Sequence, residues 1–161
     1  MPVEKIVINA SPLILLCNSN LSHILPELFQ EIILPDAVRD EILSGPHQDR
    51  AASMLSTLPW LIRKTVSPYS HVVSWDLGDG ETAVLSFAAE NPEFTPVLDD
   101  MAAKKCAASL GLSTLGTGSL MILAKDHGLI DSVEKAMLRL RNAGLWISDF
   151  VIELLKKQAG E

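Results

Sequence analysis

An α/β fold, a parallel sheet covered by helices on both faces, is predicted by two features of this 161-residue sequence. Short β-branched runs alternate with longer segments of helical spacing, the pattern of strands joined by helical crossovers. The composition, 48% hydrophobic and 20% charged, is that of an ordinary, rather apolar globular chain able to bury its own core.

Residues 5–9 (Lys-Ile-Val-Ile-Asn) form the first predicted strand, β-branched and buried. The run breaks at Ala10-Ser11-Pro12 into the apolar stretch 13–17, read as a helix with Ser11 expected as its N-cap and Pro12 at the first helical position. Residues 21–29 continue helically, 31–34 make a second strand stopped by Pro35, and 36–43 make a helix ending near Gly45. A helix over 48–58, an extended segment over 61–66 and a loop over 68–80 follow. In 81–89 the residues Val84, Leu85 and Ala88 keep helical spacing until Pro92 closes the element. Residues 95–98 are a strand running into Asp99-Asp100 and an alanine-rich helix over 101–110. One more strand is expected over 112–115, then helices over 120–126, 133–142 and 149–157, separated by Gly128 and Gly144. No repeat or linker interrupts the pattern, so residues 1–161 are expected to form one domain.

Thirteen basic against twenty acidic residues give a net charge of −7, which argues against a broad, non-specific grip on polyphosphate. The excess is confined to residues 1–98, with 5 basic and 12 acidic residues; residues 99–161 carry 8 of each. Two cysteines in apolar surroundings, Cys17 and Cys106, are too few for a disulfide framework and imply a reducing, cytoplasmic setting. No run reaches the roughly 18 apolar residues needed to span a bilayer, and residues 1–7 lack the pattern of a secretory leader. No membrane partner is expected.

In an open α/β sheet, ligands bind beyond the carboxyl ends of the strands. Asn9 ends the first strand and Asp99-Asp100 the one after Pro96, which puts an amide and two carboxylates on one rim if those strands are neighbours. The helix over 36–43 carries Glu41 on the face of Val38 and Ile42, and Glu81 lies one turn before Val84 and Leu85. Carboxylates on inward stripes need partners, because an unpaired buried charge costs several kcal/mol. A divalent cation is one such partner, and oxygen-only ligands favour Mg²⁺ or Mn²⁺. Each residue also has a structural reading: Glu81 as a helix N-terminal acid, Asp99 and Asp100 as cap and first-turn acid, Asn9 as a turn former. Other chemistries fit worse. His23, His47, His71 and His127 lack zinc spacing, and Thr117 stands where a phosphate-binding loop needs lysine.

Residues 6–14 (Ile-Val-Ile-Asn-Ala-Ser-Pro-Leu-Ile), 34–42 (Leu-Pro-Asp-Ala-Val-Arg-Asp-Glu-Ile), 78–83 (Gly-Asp-Gly-Glu-Thr-Ala) and 97–100 (Val-Leu-Asp-Asp) carry a resemblance. Together they are similar to the PIN-domain superfamily, in particular its bacterial and archaeal branch of VapC-type toxins. The resemblance implies a three-layer α/β/α fold with a short central parallel sheet, an acidic pocket for Mg²⁺ or Mn²⁺, and often a homodimer. It aligns the four family acids with Asn9, Glu41, Glu81 and Asp99 or Asp100, so that Asn9, Glu41, Glu81, Asp99 and Asp100 are implied as metal ligands and Glu41, Glu81, Asp99 and Asp100 as catalytic. Ser11, Lys104 and the hydroxyl of Thr117 are expected on the substrate side. The implied activity is cleavage of single-stranded RNA by metal-activated water, with a small antitoxin protein as a possible partner. Asn9 departs from the pattern: an amide oxygen ligates Mg²⁺ but brings no charge. The alternative is therefore a catalytically weakened module acting by RNA or protein binding, and a metal-dependent phosphatase lacks a recognisable nucleophile loop. Trp60, Trp75 and Trp146 could serve a partner groove, with core packing the expected fate of at least two.

Overall fold

The computed structural model describes residues 2–45 and 50–161. Four parallel strands make the sheet: β1 (Lys5–Ile8), β2 (Glu31–Pro35), β3 (Leu61–Lys64) and β4 (Thr95–Val97), in the order β3-β2-β1-β4. The helices that flank it are α1 (Ala10–Asn18), α2 (Ile24–Leu28), α3 (Asp36–Ser44), α4 (Arg50–Met54), α5 (Ser70–Val73), α6 (Asp79–Glu90), α7 (Met101–Ser109), α8 (Thr117–Asp126), α9 (Val133–Asn142) and α10 (Asp149–Gln158).

The central strands are continuous apolar runs because helices cover them. Ile6, Val7 and Ile8 on β1 and Ile32, Ile33 and Leu34 on β2 are all at most 2% exposed. Each such side chain contributes roughly 1.5–3 kcal/mol through burial. Leu13 and Leu16 on α1, Val84 and Leu85 on α6 and Ala103, Cys106 and Ala107 on α7 continue the same core. β3 is an edge strand whose Ile62, Arg63 and Lys64 are exposed, and the two cations discourage pairing with another chain. Asp36 of α3 anchors this edge, accepting hydrogen bonds from Arg63 Nε at 3.2 Å and Thr65 Oγ1 at 2.8 Å.

Several local expectations are corrected. Ser11 is not a helix cap: α1 begins at Ala10, with extended Asn9 (φ −83°, ψ 167°) in the cap position and Ser11 exposed in the first turn. Pro12 is tolerated there because the first four N–H groups of a helix have no partner within it. The stretch 68–80 is more ordered than a loop, since it contains α5 and the start of α6. The strand over 112–115 contracts to one bridge between Leu115 and Val97, because Leu112 N donates back to Ala107 O and Gly116 already leads into α8. The helical segment expected over 48–58 begins outside the described residues, as does His47; from Arg50 it is α4 followed by a single 3-10 turn, Leu55–Thr57.

Candidate active site

The carboxyl ends of adjacent strands β1 and β4 are stitched together by a hydrogen bond from Asn9 N to Val97 O, 3.0 Å. That bond fixes Asn9 at the rim of the sheet, 3% exposed. α3 brings Glu41 to the same rim and α6 brings Glu81. With Ser11, Ile14, Leu15, Ala143 and Gly144 these three residues border one cleft of about 390 Å³.

The local geometry depends on two glycines. Gly80 N donates to Glu41 Oε1 at 3.0 Å, so the first turn of α6 holds the α3 carboxylate through an otherwise free helix N–H. A Cβ at Gly80 would lie 2.8 Å from Glu41 Oε1 and 2.9 Å from Oε2, and one at Gly78 would lie 2.6 Å from Glu81 Oε2. The carboxylates thus occupy the space that side chains at 78 and 80 would fill. Asn9 Nδ2 donates to Glu81 Oε1 at 3.3 Å, while Asn9 Oδ1 is buried and, among the described residues, has no hydrogen-bond partner. Burial, reinforced by the charges of Glu81 and Asp79 and opposed by the Gly80 N–H, pushes the Glu41 carboxyl above the usual carboxylate range.

Asp99 has a different set of partners. Its Oδ1 accepts from Thr117 N at 2.8 Å and its Oδ2 from Thr117 Oγ1 at 2.5 Å, tying the exit of β4 to the fully buried first residue of α8. Gly116 leaves room for this: a Cβ there would stand 3.1 Å from Asp99 Oδ1 and 3.3 Å from Lys104 Nζ, which brings Lys104 to the same spot. Asp100 is exposed and caps α7, accepting from Ala103 N at 2.9 Å. The structure therefore gathers Asn9, Ser11, Glu41 and Glu81 on one cleft and Asp99, Lys104 and Thr117 at the adjoining strand exit, with Asp100 turned to a capping bond. Sequence reasoning did not anticipate Ala143 and Gly144, which reach the cleft from the end of α9; only Gly144, as a helix stop, carried any signal.

Among the described residues, no three His, Cys, Asp or Glu side chains come together as a metal-holding group. The third donor residue of this cleft is instead an amide: Glu41, Glu81 and Asn9 offer only oxygen as ligand atoms. Such a set suits a hard divalent cation in kind, and a cation would relieve both the raised Glu41 and the unsatisfied amide oxygen.

A family model described as a PIN domain matches residues 5–161. No curated protein and no solved structure matches the chain. The matched segment includes every strand of the sheet and all of the acids just described, and the chain belongs to the PIN-domain family, whose members are nuclease-type, nucleic-acid-binding proteins generally dependent on divalent metal.

Proposed function

We propose that this protein is an Mg²⁺- or Mn²⁺-dependent endoribonuclease acting on single-stranded RNA, of the kind paired with an antitoxin. One observation carries the reading: Asn9, Glu41 and Glu81 border one cleft beyond the strand ends, and the buried Asn9 Oδ1 has no hydrogen-bond partner among the described residues. Those three groups would hold the cation, which supplies Lewis acidity toward a phosphodiester. Gly80 N orients Glu41 and Asn9 Nδ2 orients Glu81. Thr117 fixes both oxygens of Asp99, an anion beside which Lys104 offers a phosphate contact. An ionised carboxylate has about four lone-pair sites, so Asp99 keeps acceptor capacity after Thr117 is satisfied.

The test is cleavage of a labelled single-stranded RNA by purified protein with Mn²⁺. EDTA should abolish it, and Glu41→Gln/Glu81→Gln should lower it by about 100-fold or more, beyond the 10- to 100-fold typical of losing an outer partner of a metal site. Cleavage that survives both treatments would overturn the proposal. The weakened-module reading draws on Asn9, whose Nδ2 engages a carboxylate oxygen of Glu81 and adds no charge. A folded protein that fails to cleave until Asn9→Asp is introduced would establish that reading instead.

A further inference from the structure

Among the described residues, no Lys or Arg lines the cleft that holds the acids, and the chain as a whole carries a net charge of −7. Ionic contact, the usual source of affinity for nucleic acid, is therefore weak at this site. Apart from Asn9 and Ser11, its non-acidic wall is apolar: Ile14, Leu15, Ala143 and Gly144. Gly144, at φ +115°, starts the loop between α9 and α10 and is free to adopt that conformation for lack of a Cβ. Two residues on stands Trp146, 100% exposed.

This exposure does not come from a loose loop. Leu145 N donates to Leu140 O at 2.9 Å, and Arg141 Nη2 donates to Ile147 O at 3.1 Å and Asp149 Oδ1 at 2.8 Å. Leu145 and Ile147, on either side, both pack against the core. A pinned backbone thus holds a whole indole in water on a residue whose Cα is at most about 7 Å from the Cα of Gly144, which lines the cleft. Leaving an indole in water forgoes a large burial gain.

We infer that Trp146 is a base-stacking platform that positions a nucleotide of single-stranded RNA flanking the scissile phosphate. Stacking is sequence-tolerant and independent of charge, so it suits an acidic protein whose cleft offers no cations. The inference rests on reading the cleft as a nucleic-acid site. Trp146 touches no acid of the cleft and is a positioning residue.

Binding of a short single-stranded RNA in EDTA, followed by tryptophan fluorescence, separates this inference from the nuclease reading because no turnover is involved. Stacking should quench the emission of the wild type. Trp146→Ala should weaken binding by roughly tenfold, Trp146→Phe should retain most of the affinity, and the melting temperatures of all three should agree. The slope of log affinity against log salt should be no steeper than about −0.7, the value for a single neutralised phosphate. In the cleavage assay with Mn²⁺, Trp146→Ala should raise KM more than it lowers kcat. Unchanged affinity in Trp146→Ala would overturn the inference even if cleavage were established, whereas tryptophan-dependent binding without cleavage would support it and sink the nuclease. A wild-type dimer that Trp146→Ala converts to monomer, with RNA affinity intact, would also overturn it, since a second copy would then cover the indole.

Discussion

Glu41 is the residue at which the cost of the site is most directly measurable. Its carboxyl is pushed above the ordinary value of 4.5 by burial and by the neighbouring acids Glu81 and Asp79. A raised folded pKa means that the folded state holds the proton more tightly than the unfolded state. Stability from this group is fully present below pH 4.5 and is lost as pH rises through the folded value. In EDTA at pH 7, Glu41→Gln should therefore melt slightly above the wild type, by an amount worth less than about 1 kcal/mol for so accessible a group. The two should converge near pH 4, while Mn²⁺ should raise the wild type alone. Equal melting of the two proteins at pH 7 and pH 4, with or without Mn²⁺, would remove Glu41 from the site. The sequence made Glu41 conspicuous because a carboxylate sat on the stripe of Val38 and Ile42. It could not show that a backbone N–H from 39 positions away holds the carboxylate, since that pairing exists only once α3 and α6 pack.

At the scale of elements, the opening of α6 is the part of the fold shaped most closely around the cleft. Its glycines are there for space rather than for a special backbone angle, and the obstacle a new Cβ would meet is the end of a flexible side chain. Gly80→Ala should accordingly fold, and its helix should gain up to about 1 kcal/mol from the better helix former. The methyl group would displace Glu41, so the Mn²⁺-dependent rise in melting temperature should vanish and RNA cleavage should fall by at least about tenfold. Thermal melts with and without Mn²⁺ read both effects on one sample, and a variant that keeps its response to Mn²⁺ would show that Glu41 is not needed in its present place. Element boundaries were legible to within a residue or two for β1, β2, α7, α9 and α10, where apolar spacing and capping residues coincide. They were less so where a single hydrogen bond decides. Ser11 resembled a cap before Pro12, but the chain turns helical two residues earlier, with Asn9 in the cap position, and the 112–115 strand lost its length to the closing turn of α7.

For the whole molecule, strand alternation was enough to predict a parallel sheet, but the position of β3 was not, because an edge strand with three exposed residues has no apolar signature to mark its partner. The convergence of segments far apart in sequence was equally hidden, and Glu161 is the clearest case. Its carboxylate accepts from Lys125 Nζ at 2.9 Å, Val133 N at 2.6 Å, Glu134 N at 3.3 Å and Ser132 Oγ at 3.2 Å, joining the end of α8 to the start of α9. Burial would raise its pKa, but the Lys125 ammonium and the two N–H donors outweigh burial and hold it at about 2. The negative charge also sits at the positive end of the α9 dipole. A depressed folded pKa contributes stability that is present above the ordinary value of 4.5 and is lost as pH falls toward 2. Glu161→Gln removes the charge and exchanges one of the two accepting oxygens for an amide NH2 that faces donors, so it should cost about 1.5–3 kcal/mol at pH 7, the range for hydrogen bonds to charged groups. For a chain of this size each kcal/mol is worth about 2–4 °C in melting temperature. Melts at pH 7, 4 and 3 should show the gap between wild type and variant narrowing at each step. A gap that stays constant with pH would mean that the contacts hold α8 and α9 together by packing rather than by the charge of Glu161.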